Sequence, residues 1–173
     1  ATGNSRDWSE RTSLTQVLAG RPLIVINPDG GEFGWYLDSR LKPESQYESF
    51  MTRDLIADVD ARYPTVAGRK GRAIAGLSMG GHGAMMLAAR HPDLFASASS
   101  MSGILNIANH PGKWHLDDIL GKLPEAAAEW SKWNVHDLAE RYTTASVALR
   151  FDSGTSDTAA IGDNRQLHER LVQ

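Results

Sequence analysis

The hexapeptide Gly-Leu-Ser-Met-Gly-Gly at residues 76–81 constrains the fold of this chain more than any other stretch, because of what flanks it. Residues 72–75 before it are short and apolar, which predicts a buried strand, and residues 82–90 after it predict a helix packed through small side chains. A strand, the pattern G-x-S-x-G and a helix in this order are typical of a nucleophile elbow, a sharp turn that holds a serine hydroxyl clear of a sheet. The flanking pattern favours this interpretation over a glycine-rich turn whose serine has no role.

Such a turn makes steric demands on its residues. We expect Ser78 to have a strained backbone, and we expect a side chain at Gly76 or Gly80 to collide with neighbouring backbone. The amide of Met79 then points into the same small space as the serine hydroxyl.

Strands and helices alternate along the rest of the chain. Further strands are predicted at residues 23–26, 96–101 and 146–151, and further helices at residues 12–18, 49–63 and 163–172. This alternation predicts one α/β domain built on a mainly parallel sheet with helices on both faces. In such sheets functional groups gather at the carboxyl ends of the strands, where the turns that hold Asp29, Ser78 and Asp157 lie.

Composition narrows the classes of partner. The 173 residues carry a net charge of -3, which gives no reason to expect a nucleic acid or an anionic membrane surface. The sequence has no cysteine, so it has no disulfide framework and no thiol nucleophile, and no apolar run approaches the ~20 residues that span a bilayer. The sequence slightly favours a cytoplasmic location but does not determine the compartment. It does not determine the oligomeric state either.

Residues 104–144 differ in character from the rest and are interpreted as an insertion after a core strand. They carry Trp114, Trp130 and Trp133 and two short helical patterns. An insertion at this point commonly covers a site, so we expect it to lie over the serine. We expect at least two of the three tryptophans to anchor the insertion rather than to line a pocket.

A serine nucleophile needs a base and a carboxylate that orients the base. In the α/β-hydrolase order the acid follows the serine, and Asp157 suits this role because it lies just past a predicted strand in a Gly-Thr-Ser turn. Asp152 is the rival, but it stands at the strand end itself, where it could simply cap the turn.

The base is harder to find, because of the six histidines only His168 follows the acid, and its surroundings are helical. The structural interpretation is better than the catalytic one for all six, and the spacing of His110 and His115 lacks a third metal ligand. We therefore expect no metal and no cofactor. The histidines are His82, His91, His110, His115, His136 and His168.

Four motifs together resemble one family. They are Gly-Leu-Ser-Met-Gly-Gly-His-Gly-Ala from residue 76, His-Pro-Asp-Leu-Phe-Ala from 91, Met-Ser-Gly from 101 and Phe-Asp-Ser-Gly-Thr-Ser-Asp from 151. They are similar to those of the esterase D-like esterases, which include tributyrin-type carboxylesterases, S-formylglutathione hydrolases, feruloyl and acetylxylan esterases and, more distantly, mycolyltransferases. The resemblance covers essentially residues 1–173 and implies a three-layer α/β-hydrolase sandwich.

The resemblance implies a role for particular residues. Ser78 would be the nucleophile and Asp157 the triad acid, with the Met79 amide as one oxyanion donor and the loop at or just before Ala1 as the second. The implied substrates are small-molecule or sugar-linked esters.

The departures from the family matter as much. The family continues past its last matching helix into a strand and a Gly-Gly-His-x-Trp segment that carries the triad histidine, and this sequence has neither. It also lacks the family's first strands, one of which lies between the strands matching residues 23–26 and 72–75. The expectation is a partial domain, missing its N-terminal strands and last strand, with a gap that exposes apolar edges and with near-zero esterase activity.

Hydrolysis of short acyl esters or thioesters is the function that these residues favour. Acyl transfer to a sugar hydroxyl uses the same triad, so the motifs do not separate the two reactions. A non-catalytic binding domain of the same fold is the third hypothesis, and the intact turn around Ser78 together with Asp157 argues against it.

Overall fold

A computed structural model describes residues 3–172 of the chain. The strands are β1 (Ala73–Leu77), β2 (Ser97–Met101) and β3 (Ala148–Asp152). The α-helices are α1 (Asp7–Glu10), α2 (Leu14–Leu18), α3 (Tyr47–Ser49), α4 (Leu55–Arg62), α5 (Met79–Arg90), α6 (Leu116–Leu120), α7 (Ala127–Trp133), α8 (Ala139–Ala145) and α9 (Ile161–Leu171). A π-helical turn (Phe50–Asp54) joins α3 to α4.

The described strands form one parallel sheet in the order β1-β2-β3. Each strand is short and is followed by a long connection, and this arrangement is what a parallel pairing requires. The register places Leu77, Met101 and Asp152 opposite one another at the carboxyl ends of the three strands. The three chain segments that follow these residues therefore leave the sheet at one edge.

Helix α5 forms the centre of the core. It packs against β1 and β2, and its residues from Gly81 to Ala89 are buried. Small side chains on this helix allow the close approach, as the sequence predicted for residues 82–90. The predicted strands at 96–101 and 146–151 and the predicted helix at 163–172 are likewise confirmed, with ends shifted by up to two residues.

The segment 104–144 is held to this core by aromatic side chains. Trp130 and Trp133 are buried in the hydrophobic core with the side chains of α5, and the Trp130 indole also donates a hydrogen bond over 2.8 Å to the Gly121 carbonyl within the segment. The Arg90 guanidinium lies 4.1 Å from the centre of the Trp133 ring. Two of the three tryptophans thus anchor the segment, as expected.

Two predictions of burial are wrong. Residues 23–26 are not a strand, and Leu23 is 62% exposed. In the predicted buried strand at residues 72–75, Ala73 and Ala75 are exposed. The physical reason is the same for both, because β1 is an edge strand of the described sheet and residues 23–26 make no ladder with it. A cavity of about 1050 Å³ separates them, at the place where the resemblance put a further strand.

Among residues 3–172, no helix has the length and apolar character needed to cross a membrane.

The sharpest packing constraint in the sheet is at Gly76, where an added Cβ would lie 2.2 Å from both the carbonyl carbon and the carbonyl oxygen of Gly80. We expect Gly76→Ala to lower the free energy of unfolding by at least about 3 kcal/mol or to prevent folding, because backbone on both sides must move. Urea unfolding followed by circular dichroism measures the change.

Gly162→Ala is the matched control, since Gly162 lies in α9 with nothing within 4 Å of an added Cβ. A helical alanine there should be neutral or should stabilise by up to about 1 kcal/mol. Equal stability of the two variants would contradict the steric account of the turn.

Candidate active site

The Ser78 backbone has the strained conformation that the sequence predicted. Its φ is 56° and its ψ is -117°, a region that side chains rarely adopt, and it lies between the end of β1 and the first residue of α5. Two backbone hydrogen bonds hold it, from the Ser78 amide to the Met101 carbonyl over 2.9 Å and from the His82 amide to the Ser78 carbonyl over 3.0 Å. Ser78 is exposed, so the turn presents the serine outward.

The two glycines of the turn differ. The clash expected at Gly76 is present, whereas the clash expected at Gly80 is wrong, because the nearest atom to an added Cβ there is the Tyr36 hydroxyl at 3.9 Å. Gly80 lies in the first turn of α5, and no atom of β1 comes within 4 Å of a Cβ added there.

The Met79 side chain is buried, and its amide is the first of α5. The first amides of a helix have no acceptor within the helix and stand at the positive end of its dipole. The amide next to Ser78 is therefore suited to a developing negative charge. Ala1, the other residue named for this role, lies outside the described residues.

Asp157 follows β3 and is half-buried in the turn before α9. Its amide donates to the Gly154 carbonyl over 3.0 Å, and its Oδ1 accepts from the amides of Ala159 and Ala160 over 3.2 Å each. The rival Asp152 is the last residue of β3, exposed, with its carboxylate 3.8 Å from Arg150. The turn therefore fixes the carboxylate of Asp157, whereas that of Asp152 lies on an exposed strand end.

Sheet register relates the serine to this acid. Neighbouring strands lie about 4.8 Å apart, so the ends of β1 and β3, which flank β2, are roughly 10 Å apart. Ser78 directly follows one of these ends, and the turn with Asp157 follows the other. Both groups thus belong to the carboxyl edge of the sheet, where parallel α/β folds place their sites.

The structure gives each of the six histidines other surroundings. His91 lies 2.8 Å from Glu48, His110 lies 3.0 Å from Asp163 and His115 lies 2.7 Å from Asp118. His136 lies 3.7 Å from Asp137, and His168 is exposed on α9. All six are described residues, and no imidazole ring among them hydrogen-bonds to Ser78 or Asp157.

His82 is buried although it follows Ser78 by one helical turn. Its Nε2 lies 3.1 Å from the Trp133 carbonyl oxygen, and its ring meets Trp35 edge-on at 5.2 Å. Burial lowers the pKa of His82 to about 4. The backbone carbonyls of Trp133 and Trp35 favour the charged form and so act in the opposite direction, but burial has the larger effect. The ring is therefore neutral at physiological pH and supports the core.

The cavity of about 1050 Å³ opens beside Ser78. Its walls come from residues 3–36, from residues 51–87 and from Phe95, and no residue of the segment 104–144 lines it. That this segment covers the site stays a prediction. Among the described residues there is no group of three or more acidic or histidine side chains that could hold a metal ion.

Tyr36 lines the same cavity and was not singled out by the sequence. The available signal was an aromatic pair in a glycine-containing loop, which by itself indicates no role. A buried network was missed too, in which Asp163 accepts from the Asn106 amide over 3.2 Å and Asn134 donates to the Asn106 side chain over 2.9 Å. This network ties the segment 104–144 to α9.

Comparison with known proteins identifies the fold and the relatives. Residues 2–172 match the model of a protein family described as "Putative esterase". The chain is 41% identical over 108 residues to Esterase Rv1288 of Mycobacterium tuberculosis, covering 58% of this chain and 24% of that protein. It is 36% identical over 107 residues to the diacylglycerol acyltransferase/mycolyltransferase Ag85B of Mycolicibacterium smegmatis, covering 57% of this chain and 32% of that protein.

The crystal structure of MPT51 from Mycobacterium tuberculosis superposes with a TM-score of 0.81 and 25% identity, over 96% of this chain and 70% of that chain. The predicted α/β-hydrolase fold is thereby confirmed. The matched segments cover less than a third of the length of the two relatives above.

The buried neutral His82 makes stability depend on pH. A folded pKa of about 4 lies below the ordinary 6.5, so the unfolded chain binds more protons between these values and stability falls as the pH drops through that interval. We expect His82 alone to cost about 2.5 kcal/mol of unfolding free energy between pH 7.5 and pH 4.5. Urea titrations at the two pH values measure it.

Between pH 7.5 and pH 4.5, the His82→Gln variant should lose about 2.5 kcal/mol less unfolding free energy than the unchanged protein. The His168→Gln variant, changed at an exposed position, should lose as much as the unchanged protein. The same loss in both variants would show that His82 does not stay neutral in the core.

Proposed function

The chain belongs to the family described as "Putative esterase", and we propose that Ser78 is the nucleophile in the hydrolysis of short-chain carboxylic esters. One observation carries the proposal. A serine with φ 56° stands exposed between a strand end and the N-terminus of a buried helix. Backbone strain of this kind persists where the surrounding structure enforces it and is characteristic of active sites.

In the proposed reaction the Ser78 Oγ attacks the carbonyl carbon and forms a tetrahedral intermediate. The Met79 amide donates to the oxyanion, at the positive end of α5. A histidine takes the serine proton and returns it to the leaving alcohol, and Asp157 orients that histidine through its other ring nitrogen. Water then attacks the acyl-enzyme and releases the acid.

The histidine of this scheme is not one of the six in the chain, because five have an acidic or backbone partner elsewhere and His168 is exposed on α9. The 173 residues alone should therefore turn over esters at close to the rate in buffer. Thioesters are a further substrate class that the same chemistry accepts.

Acyl transfer is the second candidate function. The similarity to Ag85B, whose name gives it acyltransferase activity, favours it. A sugar hydroxyl would then replace water in the second step, with Ser78, Met79 and Asp157 in unchanged roles. Product analysis with and without a sugar acceptor separates transfer from hydrolysis.

The first test is hydrolysis of p-nitrophenyl acetate by the 173-residue chain. We expect a rate within two-fold of buffer, because Ser78 lacks a base. Turnover far above buffer that Ser78→Ala abolishes would contradict the assignment of all six histidines to structural roles.

The second test uses the chain expressed together with the coding sequence that flanks it in its gene. Ser78→Ala should lower kcat by about 10⁶-fold, and Asp157→Asn should lower it by about 10⁴-fold because the base loses its orientation. Asp152→Asn is the matched control and should stay within two-fold. Activity that survives Ser78→Ala would refute the proposal, and a larger effect at Asp152 than at Asp157 would exchange the acids.

A further inference from the structure

The side-chain amide of Asn164 joins two segments that leave the carboxyl edge of the sheet. Asn164 lies on α9 and is 5% exposed. Its Nδ2 donates to the Gly103 carbonyl over 2.9 Å and to the Ala160 carbonyl over 2.8 Å. Gly103 follows β2 and Ala160 precedes α9, so a single NH2 group connects the backbone at these two places.

The Ala160 end of this bridge belongs to the turn that holds Asp157. The Ala160 amide donates to the Asp157 Oδ1 over 3.2 Å and to the Asp157 carbonyl over 3.3 Å. The Ile161 amide donates to the same carbonyl over 2.9 Å. Ala160 is therefore bonded to Asp157 through its amide and to Asn164 through its carbonyl, so the carboxylate follows the position of the start of α9.

The Gly103 end of the bridge packs against the helix that follows Ser78. A Cβ added to Gly81, in the first turn of α5, would lie 2.9 Å from the Gly103 Cα. Two residues before Gly103, the Met101 carbonyl accepts from the Ser78 amide over 2.9 Å. Gly103 is thus fixed against the turn that holds the serine.

The bridge requires an amide at position 164. One NH2 group supplies two hydrogens, whereas a serine hydroxyl supplies one and an aspartate carboxylate none. An amide turned the other way would set its oxygen against two carbonyl oxygens. The Asn164 Oδ1 is buried and accepts no hydrogen bond within residues 3–172. Because such an atom lowers stability, the bridge explains this amide better than the stability of α9 does.

We propose that Asn164 is a positioning residue of the Ser78 site, whose amide fixes the Asp157 carboxylate relative to the serine. The inference rests on the proposed function, in which the carboxylate orients the histidine that takes the serine proton. Asn164 touches neither the ester nor the reacting atoms and acts through the Gly103 and Ala160 carbonyls. A displacement of the acid by about 1 Å is enough to lower the rate ~10²-fold.

A double-mutant cycle in the chain expressed with its flanking coding sequence tests the proposal. Asn164→Ala removes the bridge, and we expect it to lower kcat for p-nitrophenyl acetate roughly 10²-fold with KM within two-fold. In the Asp157→Asn background the same change should lower kcat less than three-fold, because the carboxylate that Asn164 positions is gone. An amide oxygen in place of Oδ1 still accepts from the amides of Ala159 and Ala160, so that background keeps the turn.

Asn109→Ala is the matched control. The Asn109 amide also donates to two side chains of α9, those of Asp163 and Gln166. None of its hydrogen bonds within residues 3–172 goes to Gly103 or Ala160. Its removal should leave kcat within two-fold in both backgrounds.

Asn164→Ser keeps one donor for the Ala160 carbonyl and loses the bond to Gly103, so it decides the question if Asn164→Ala does not fold. An equal loss of kcat in both backgrounds, or a folded variant with unchanged kcat, would refute the role of Asn164 and leave the proposed function standing. Activity that survives Ser78→Ala would refute the proposed function instead.

Discussion

The contact between Gly76 and Gly80 is the constraint on which the rest of the site depends. The last residues of β1 and the first turn of α5 come so close that an atom added to Gly76 would lie 2.2 Å from the Gly80 carbonyl group. Only glycine at this strand position lets the chain reverse within one residue. Ser78 absorbs the reversal in its own backbone, and its strain follows from this contact rather than from any interaction of its side chain.

The same contact connects fold and chemistry. Because α5 begins directly after the strained residue, the Met79 amide stands free at the helix N-terminus, and Gly83 one turn later receives the Tyr36 ring. The buried side of α5 meets β1, β2 and α8, which fixes the helix and therefore the turn. On the side of β1 away from β2 lies the cavity, at the place where the resemblance puts a further strand.

Local sequence was sufficient where local sterics decide the structure. The turn at Ser78, the strand β2 and the helix α9 follow from glycine spacing, short apolar runs and helical periodicity, and each was predicted within a few residues. The predicted strand at residues 23–26 is wrong, because a β-branched run becomes a strand only when another strand hydrogen-bonds to it, and within the described chain none does. The predicted clash at Gly80 is wrong, because Gly80 lies inside the first turn of α5 and the surroundings of its Cβ depend on that position rather than on its place in the motif.

Long-range contacts explain what the sequence did not reveal. Trp35 meets Trp114 across 79 positions of the chain, and Asp163 meets Asn106 across 57. No spacing rule links residues so far apart, so the place of the Trp35 ring and the tie between α9 and segment 104–144 became visible only in three dimensions. The role of Asp157 is predicted from its place after a strand. The sheet register puts that strand end on the same side of the sheet as the end that precedes Ser78, and the role stays a prediction.

The nucleophilic role of Ser78 can be seen in a crystal structure of the protein, expressed with its flanking coding sequence, after reaction with a small alkyl fluorophosphonate. We expect a covalent bond from phosphorus to the Ser78 Oγ and a phosphoryl oxygen about 2.7–3.1 Å from the Met79 amide nitrogen. We also expect an imidazole between that oxygen atom of Ser78 and the Asp157 carboxylate. A phosphoryl oxygen turned away from α5, or an adduct on another residue with Ser78 unmodified, would contradict this role.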